Sequence, residues 1–345
     1  PVMAVIKANA YGHGAIKCAT ALEKEGVCNF AVSTYMEALE LRRNKITSDI
    51  LILGAVPEEC VCDLCDNHVT ISITSLEIAR LYAAKLSLTQ RKIKAHIKLD
   101  TGMNRHGINA ESTQNAVKEI KEIFAMPQFE IEGIFTHLAV ADTVGEEEFT
   151  NLQIKRFKNI NDALLGDGIE IKIKHCANSA GVLKYPDAYF NMVRAGIILY
   201  GCEPDFDMPN ILGVSPVMSL RTRISQIKEV KAGETIGYGR AYNALTQRKI
   251  ATVSIGYADG LHRACSQKIE MLVNGEIVPQ VGNICMDICM LDVTEVKNVK
   301  IGDVVTVFGE DNGKSIQADA TAKAAGTICY EIITGISPRV PKFYV

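Results

Sequence analysis

Ala4-Val-Ile-Lys-Ala-Asn-Ala-Tyr-Gly-His-Gly14 is an apolar run that stops at a lysine, followed by a loop of small and polar residues and then a helix-like stretch over 14–25. A lysine closing a buried strand has two readings. It is either a surface cation whose stem crosses apolar neighbours, or an amine held in a desolvated pocket as a Schiff-base nucleophile. The same unit recurs down the chain. Short β-rich runs at 30–32, 50–53, 69–73, 92–99 and 129–135 precede amphipathic runs at 36–43, 58–66, 76–87, 112–124 and 146–165. Two more strand candidates, 171–175 and 192–195, flank a short segment near 178–185. Strands alternating with helices predict a parallel sheet. Eight strands of this kind fit a (β/α)8 barrel, and a doubly wound open sheet shows the same alternation.

Past residue 212 the texture changes to alternating Thr- and Val-rich stretches at 218–230, 234–238, 250–255, 269–273, 288–293 and 304–308, with Asn274-Gly275 as a hairpin turn. This predicts a barrel over 1–212 and a mainly β domain over 213–345, joined by a linker at 203–213 that contains Pro204 and Pro209. A length of 345 residues accommodates both. With 48% hydrophobic and 22% charged residues, disordered and low-complexity classes are excluded. The 37 basic and 40 acidic residues leave no cationic excess to gather phosphates, so a small molecule is the expected partner and nucleic acid is not. The apolar stretches 50–56 and 195–200 fall far short of the roughly 18 residues a membrane helix needs. The chain starts at Pro1 in what reads as mid-strand, so further residues are expected upstream of it. Eleven scattered cysteines read as free thiols in a reducing, cytoplasmic compartment.

In a barrel, chemistry collects at the C-terminal ends of the strands. Those ends here carry Lys7 and Tyr11, then Lys98 with Arg105, Thr136-His137, Asn178-Ser179, and Arg194 followed by Gly196-Ile197. Ser179 and the Gly196-Ile197 backbone would lie at neighbouring strands seven and eight, where barrels bind phosphate through backbone N–H groups. Cys60-Val-Cys-Asp-Leu-Cys65, near His68, offers soft-metal ligands without a second pair at zinc-finger spacing. The preferred reading of Cys60, Cys62 and Cys65 is a cysteine-rich helix near the core, and no metal is predicted.

Taken in order, these segments resemble the bacterial alanine racemases, barrel-plus-β-domain enzymes that use pyridoxal phosphate. The resemblance starts at residues 4–14 and continues through Phe30-Ala-Val32, Leu99-Asp-Thr-Gly-Met103 with Arg105, Thr136-His137, Asn178-Ser179 and Arg194. It goes on in the second domain through Tyr238-Gly239, Gly256-Tyr-Ala-Asp-Gly260, Gly282-Asn-Ile-Cys-Met-Asp287, Tyr330-Glu331 and Arg339-Val-Pro341, so it spans the whole chain.

The resemblance implies interconversion of L- and D-alanine, supplying D-alanine for peptidoglycan, by proton exchange on both faces of Cα. Lys7 would form the internal aldimine with pyridoxal 5′-phosphate and serve one face, and Tyr238 of a partner subunit the other. Tyr11, Ser179, Ile197 and Tyr330 would bind the phosphate, with His137, Asn178 and Gly196 also in the cofactor site and Arg194 at the ring nitrogen. Arg105 and the partner's Met286 backbone would hold the substrate carboxylate, and Tyr257 would narrow the entrance. Arg263 and Asp287 would support the tyrosine side of the site, and Lys98 is a candidate for carbamylation. A head-to-tail homodimer with shared sites is implied. The competing readings are a serine racemase domain of the vancomycin-resistance type, which follows a membrane segment, and a non-catalytic pyridoxal-phosphate-binding barrel protein.

Overall fold

The computed structural model describes residues 1–205 and 212–345, so Pro209 and much of the predicted linker lie outside the described residues. The described residues fall into two units, Pro1–Leu199 with Glu203–Val214, and Ser215–Val345 with Tyr200–Cys202.

In the first unit the strands are β1 (Val2–Val5), β2 (Asn29–Val32), β3 (Asp49–Ile52), β4 (Ile71–Ile73), β5 (Ile93–Asp100), β6 (Phe129–Phe135), β7 (Ile173–His175) and β8 (Val193–Ala195). Every neighbouring pair is parallel. Bridges at Leu51↔Thr70 and His175↔Met192 join β3 to β4 and β7 to β8. The deciding contact is β8 on β1, in the register Val2↔Val193, Met3↔Arg194, Ala4↔Ala195. It closes the circuit, so the alternation belongs to a (β/α)8 barrel rather than an open sheet.

Around the strands run α1 (Ala15–Lys24), α2 (Tyr35–Arg43), α3 (Val61–Asp66), α4 (Leu76–Ser87), α5 (Thr113–Phe124), α6 (Glu147–Gly166) and α7 (Ser179–Lys184). Local sequence explains where several begin. Thr34 Oγ1 accepts from the Glu37 N–H at the start of α2 and the Glu37 carboxylate accepts from the Thr34 N–H, a capping box. Ser75 and Ser112 cap α4 and α5. On α5 the buried Ala116, Val117, Ile120 and Ile123 recur at helical spacing and form the face turned to the core. The sheet's own filling is less ordinary. Ser72, His96, Lys98, Thr136, His175 and Arg194 are buried polar groups among the branched apolar residues usual in such barrels.

The second unit is an antiparallel ring of β9 (Leu220–Val230), β10 (Arg248–Val253), β11 (Glu270–Val273), β12 (Glu276–Val281), β13 (Cys289–Asp292) and β14 (Val304–Asp311). It runs β9-β10-β13-β12-β11-β14 and closes by β14 pairing β9. Asn274 and Gly275 take φ of 52° and 78° between the paired Val273 and Glu276, as the hairpin signal requires. The predicted strand over 234–238 is shorter, Thr235–Ile236 paired with Tyr242–Asn243, because Gly237 and Gly239 take left-handed φ of 75° and 70°. Helices α8 (Ala318–Ala325) and α9 (Cys329–Thr334) complete the unit. Among the described residues no helix is long and apolar enough to cross a membrane.

Candidate active site

Lys7 follows β1 at the barrel's C-terminal mouth. The segment Lys7–Tyr11 makes one turn, yet Ala8, Asn9, Ala10 and Tyr11 have φ of 50°, 54°, 54° and 51°. Four consecutive non-glycine residues in the left-handed region cost on the order of 1–2 kcal/mol each, so other bonds must hold them. Two side chains do so: Glu37 Oε1 accepts from the Ala8 N–H at 2.6 Å, and Asn9 Oδ1 from the Ala15 N–H at 2.8 Å. The other carboxylate oxygen of Glu37 accepts from the Ser33 and Thr34 N–H groups at 2.8 and 3.0 Å. Neither Glu37 nor Asn9 stands out in the sequence as a site residue.

Burial lowers the Lys7 pKa from the ordinary lysine value; Arg105 and Arg194 add to this and Glu37 opposes it. The amine is therefore easier to deprotonate than a surface lysine, as a nucleophile requires. Tyr11 is buried, and burial pushes its pKa up to about 12, so it stays a neutral phenol able to donate. Beside it, the Gly196 N–H donates to Ser179 Oγ at 3.0 Å, and a Cβ added at Gly196 would stand 2.8 Å from the Tyr11 hydroxyl oxygen. Two hydroxyls and a bare glycine backbone thus form a small polar cradle. Asn178 caps α7 by accepting from the Gly181 N–H at 2.9 Å, and this orients Ser179 as the first residue of that helix.

Arg194 is fully enclosed. Its Nη1 donates to the His175 carbonyl and to His175 Nδ1, both at 2.9 Å. Its Nη2 donates to the carbonyls of Thr136 and Cys176 at 2.7 and 2.9 Å and faces His137 Nδ1 at 3.3 Å. Among the described residues the hydrogen bonds of this guanidinium all run from its two terminal nitrogens. Burial, then Arg194, Arg105, Lys7 and Lys98, keep His137 neutral, with its pKa well below the usual histidine range.

Lys98 donates to the Leu53 carbonyl at 3.0 Å. Burial, with Arg105, Arg194 and Lys7 near it, brings its pKa down to about 8. Asp100, at the end of β5, accepts from the N–H groups of Gly102, Asn104 and Arg105 at 3.0, 3.0 and 2.8 Å, shaping the loop that presents the exposed Arg105. Lys98, Arg105 and His137 line one cavity with Thr136.

The other predicted residues lie in the second unit. Tyr238 sits on the turn between Thr235–Ile236 and Tyr242–Asn243, and its carbonyl accepts from Asn283 Nδ2 at 2.8 Å. The loop holding Asn283 and Met286 is bonded in turn to the Tyr257 loop, by Tyr257 N–H to the Cys285 carbonyl at 3.0 Å and Ala258 N–H to the Met286 carbonyl at 2.9 Å. Tyr238, Tyr257 and Met286 are thereby presented together, with 71%, 43% and 53% of their surface exposed. Asp287 is bonded to Arg339, which also reaches Asp259, at 2.6 and 2.7 Å. Arg263 is exposed in a short 3-10 turn, and Tyr330 is half-buried on α9. Away from these residues, Cys62 Sγ stands 3.6 Å from Thr89 Oγ1 and Cys65 Sγ bonds the Lys92 carbonyl. Among the described residues no group of three His, Cys, Asp or Glu side chains is placed to hold a metal.

Comparison with known proteins agrees along the full length. Family profiles for the N-terminal and C-terminal domains of alanine racemase match residues 1–204 and 217–344. Alanine racemase 2 of Caldanaerobacter subterraneus subsp. tengcongensis is 44% identical, over 100% of this chain and 88% of that protein. Among solved structures, the alanine racemase of Clostridium difficile 630 is 42% identical with a TM-score of 0.91, covering 98% of this chain and 87% of that one. That of Bacillus anthracis with bound L-Ala-P is 37% identical with a TM-score of 0.90, covering 98% and 86%. Both family profiles match, between them covering nearly the whole of a chain that folds as a closed parallel barrel followed by an antiparallel ring, and relatives at this identity cover most of both chains; the chain belongs to the alanine racemase family.

Proposed function

We propose that this chain interconverts L- and D-alanine, with pyridoxal 5′-phosphate held at the mouth of its parallel barrel. The observation that carries the reading is the placement of Arg194, locked by its terminal nitrogens beside the Tyr11, Ser179 and Gly196 cradle and within electrostatic reach of Lys7. The residues fit the group. Neutral hydroxyls and the backbone N–H of Ile197 suit a phosphate, the missing Cβ at Gly196 leaves room for the Tyr11 hydroxyl beside it, and Arg194 Nε–H suits a ring nitrogen. When bound, pyridoxal phosphate supplies the electron sink that makes the α-hydrogen of an amino acid acidic enough to remove near neutral pH.

Each residue then has a task. Lys7 attaches the cofactor and, once displaced by substrate, moves a proton on one face of Cα. Arg194 stays charged and only donates, so it leaves the ring nitrogen its lone pair rather than a proton. Arg105, on its Asp100-shaped loop, pairs with the substrate carboxylate. Lys98 is buried among cations, and its pKa of about 8 makes its neutral amine available for carbamylation, which would turn it into an anion facing Arg105.

Tyr238 of a partner subunit serves the opposite face, with His137 and the partner's Arg263 stabilising its phenolate, while Met286 and Tyr257 close the entrance. What supports this is the joint exposure of Tyr238, Tyr257 and Met286 on mutually bonded loops, an apolar surface expected to be covered. The same arrangement supports a head-to-tail homodimer. All eleven cysteines are free, which suits a cytoplasmic setting.

The function is tested by offering L-alanine and L-serine separately and following each D-enantiomer. D-alanine is expected to form at least roughly tenfold faster than D-serine, the modest margin a small pocket can enforce against one added hydroxyl. Retention of the cofactor with conversion of neither amino acid would sink the reading. The cradle has its own test in Gly196→Ala. Its Cβ would stand 2.8 Å from the Tyr11 oxygen and 3.5 Å from Ser179 Oγ. An overpacking penalty of about 1–3 kcal/mol is expected: the melting temperature of the free protein should fall by a few degrees as the Tyr11 and Ser179 hydroxyls are pushed aside, and cofactor binding should weaken roughly tenfold or more in a cofactor titration.

A further inference from the structure

Behind Arg194, a line of side chains crosses the barrel interior. Arginine has no acceptor, so Nη1 at 2.9 Å from His175 Nδ1 makes that nitrogen an acceptor and puts the proton of the neutral ring on Nε2. His175 Nε2 lies 2.9 Å from His96 Nδ1. By the same logic His96 Nδ1 accepts, and its own proton stands on Nε2, which faces Glu132 Oε1 at 3.7 Å. Burial drives both imidazoles toward the neutral form. The protons therefore all point one way, from the guanidinium to a carboxylate.

The surrounding backbone is shaped around this line. Register shifts between β5 and β6, from Ala95↔Ile131 to His96↔Gly133, so Glu132 is the extra residue of a bulge. Gly133 has no substitute, because a Cβ there would lie 2.5 Å from ring atoms of His96. Phe135 stacks on His175 with ring centres 4.8 Å apart and planes at 5°. Glu132 is held by Lys94 Nζ at 3.0 Å and Thr70 Oγ1 at 3.3 Å. Although burial raises its pKa, the contacts with His96 and Lys94 bring it down to about 2, so the line ends in an anion.

We propose that Glu132 is a positioning residue for the reaction: as the terminal anion of a one-way donor line through His96 and His175, it sets how Arg194 presents its Nε–H to the cofactor ring. Without that anion, His96 is free to carry its proton on Nδ1, against the N–H of His175, and the conflict passes to Arg194. The inference rests on the reading that Arg194 faces the ring. The two can fail separately, because the histidine tautomers are read on the full chain whether or not it carries the cofactor.

The test is long-range proton–nitrogen correlation NMR of His96 and His175, joined to the visible spectrum of the bound cofactor and steady-state kinetics, in the wild type, Glu132→Gln and Glu132→Leu. Both wild-type rings are expected as Nε2–H tautomers. Glu132→Gln, which keeps an acceptor but loses the charge, should retain them while shifting the cofactor absorption. Its kcat should fall roughly ten- to hundredfold, as for a small misplacement of a reacting group, with KM for alanine little changed. Glu132→Leu should give a mixture of His96 tautomers. A proton on Nδ1 of His175 in the wild type overturns the proposal, and so does Glu132→Gln with unaltered spectrum and kcat. A chain that shows the tautomers but never takes up the cofactor overturns the functional reading instead.

Discussion

Lys7→Ala is expected to lose racemisation by at least about 10³–10⁴-fold, the contribution of a positioned proton-transfer group, and to lose the visible absorption of lysine-linked cofactor as well. Two roles converge on one amine. In the proposed function it would hold the cofactor covalently and exchange a proton with Cα. The surroundings suit both, since burial and the cations Arg105 and Arg194 lower its pKa and leave more of it neutral near physiological pH. The same cause predicts the pH dependence of cofactor uptake. Only the neutral amine attacks, so the uptake rate should reach half its maximum below the ordinary lysine pKa. In Arg105→Gln, which removes a cation that disfavours the charged amine, that midpoint should move up. Glu37 acts in the opposite sense, so Glu37→Gln should move it down. If Lys7→Ala retained the absorption band and turned over at the wild-type rate, the assignment of Lys7 would be wrong.

The barrel was legible as alternation because each strand is a short apolar run and each helix an amphipathic one, and these are local properties. Closure was not. It depends on Val2 meeting Val193 and Met3 meeting Arg194 across almost the whole unit, which no window of sequence contains. The polar strand ends were legible for a related reason. Lys98, His137, Ser179 and Arg194 each interrupt an apolar pattern, and fold geometry brings those interruptions to one rim.

The supporting residues escaped notice because their signals are ordinary. Glu37 reads as the third residue of a capping box, which it is, and its second bond to the Ala8 N–H depends on tertiary placement. Ala8 and Ala10 have no propensity for a left-handed turn and Asn9 alone only tolerates one, so the bonds to Glu37 and within the loop reveal why Lys7 is aimed as it is. His96 shares a strand face with Lys98 at a spacing of two, a pattern that could have flagged it. Glu132 reads as a solvated charge until the bulge turns it toward His96. The predicted strand over 234–238 erred in the other direction, since alternation was extended through two glycines whose φ values end the ladder and free Tyr238 for the turn.

Mixing Lys7→Ala with Tyr238→Phe chains should restore activity that neither variant shows alone. Tyr238→Phe by itself is expected to keep the bound cofactor and the fold, since the side chain is 71% exposed in the single chain, and to impair abstraction from L-alanine by about 10²–10⁴-fold. In a head-to-tail dimer each site draws Lys7 from one protomer and Tyr238 from its partner. A mixed dimer then has one site that lacks both groups and one in which both are intact. Random reassociation of equal amounts makes half the dimers mixed, so about a quarter of wild-type activity should return, a consequence of two-fold symmetry that no single-chain arrangement shares. Were Lys7 and Tyr238 to act within one chain, every site in the mixture would lack one of them and activity would stay at the level of the separate variants. The yield after mixing therefore decides whether the exposed loops bearing Tyr238, Tyr257 and Met286 complete the site of a partner. It does so independently of substrate preference, because the same fraction should return with any amino acid the intact dimer racemises.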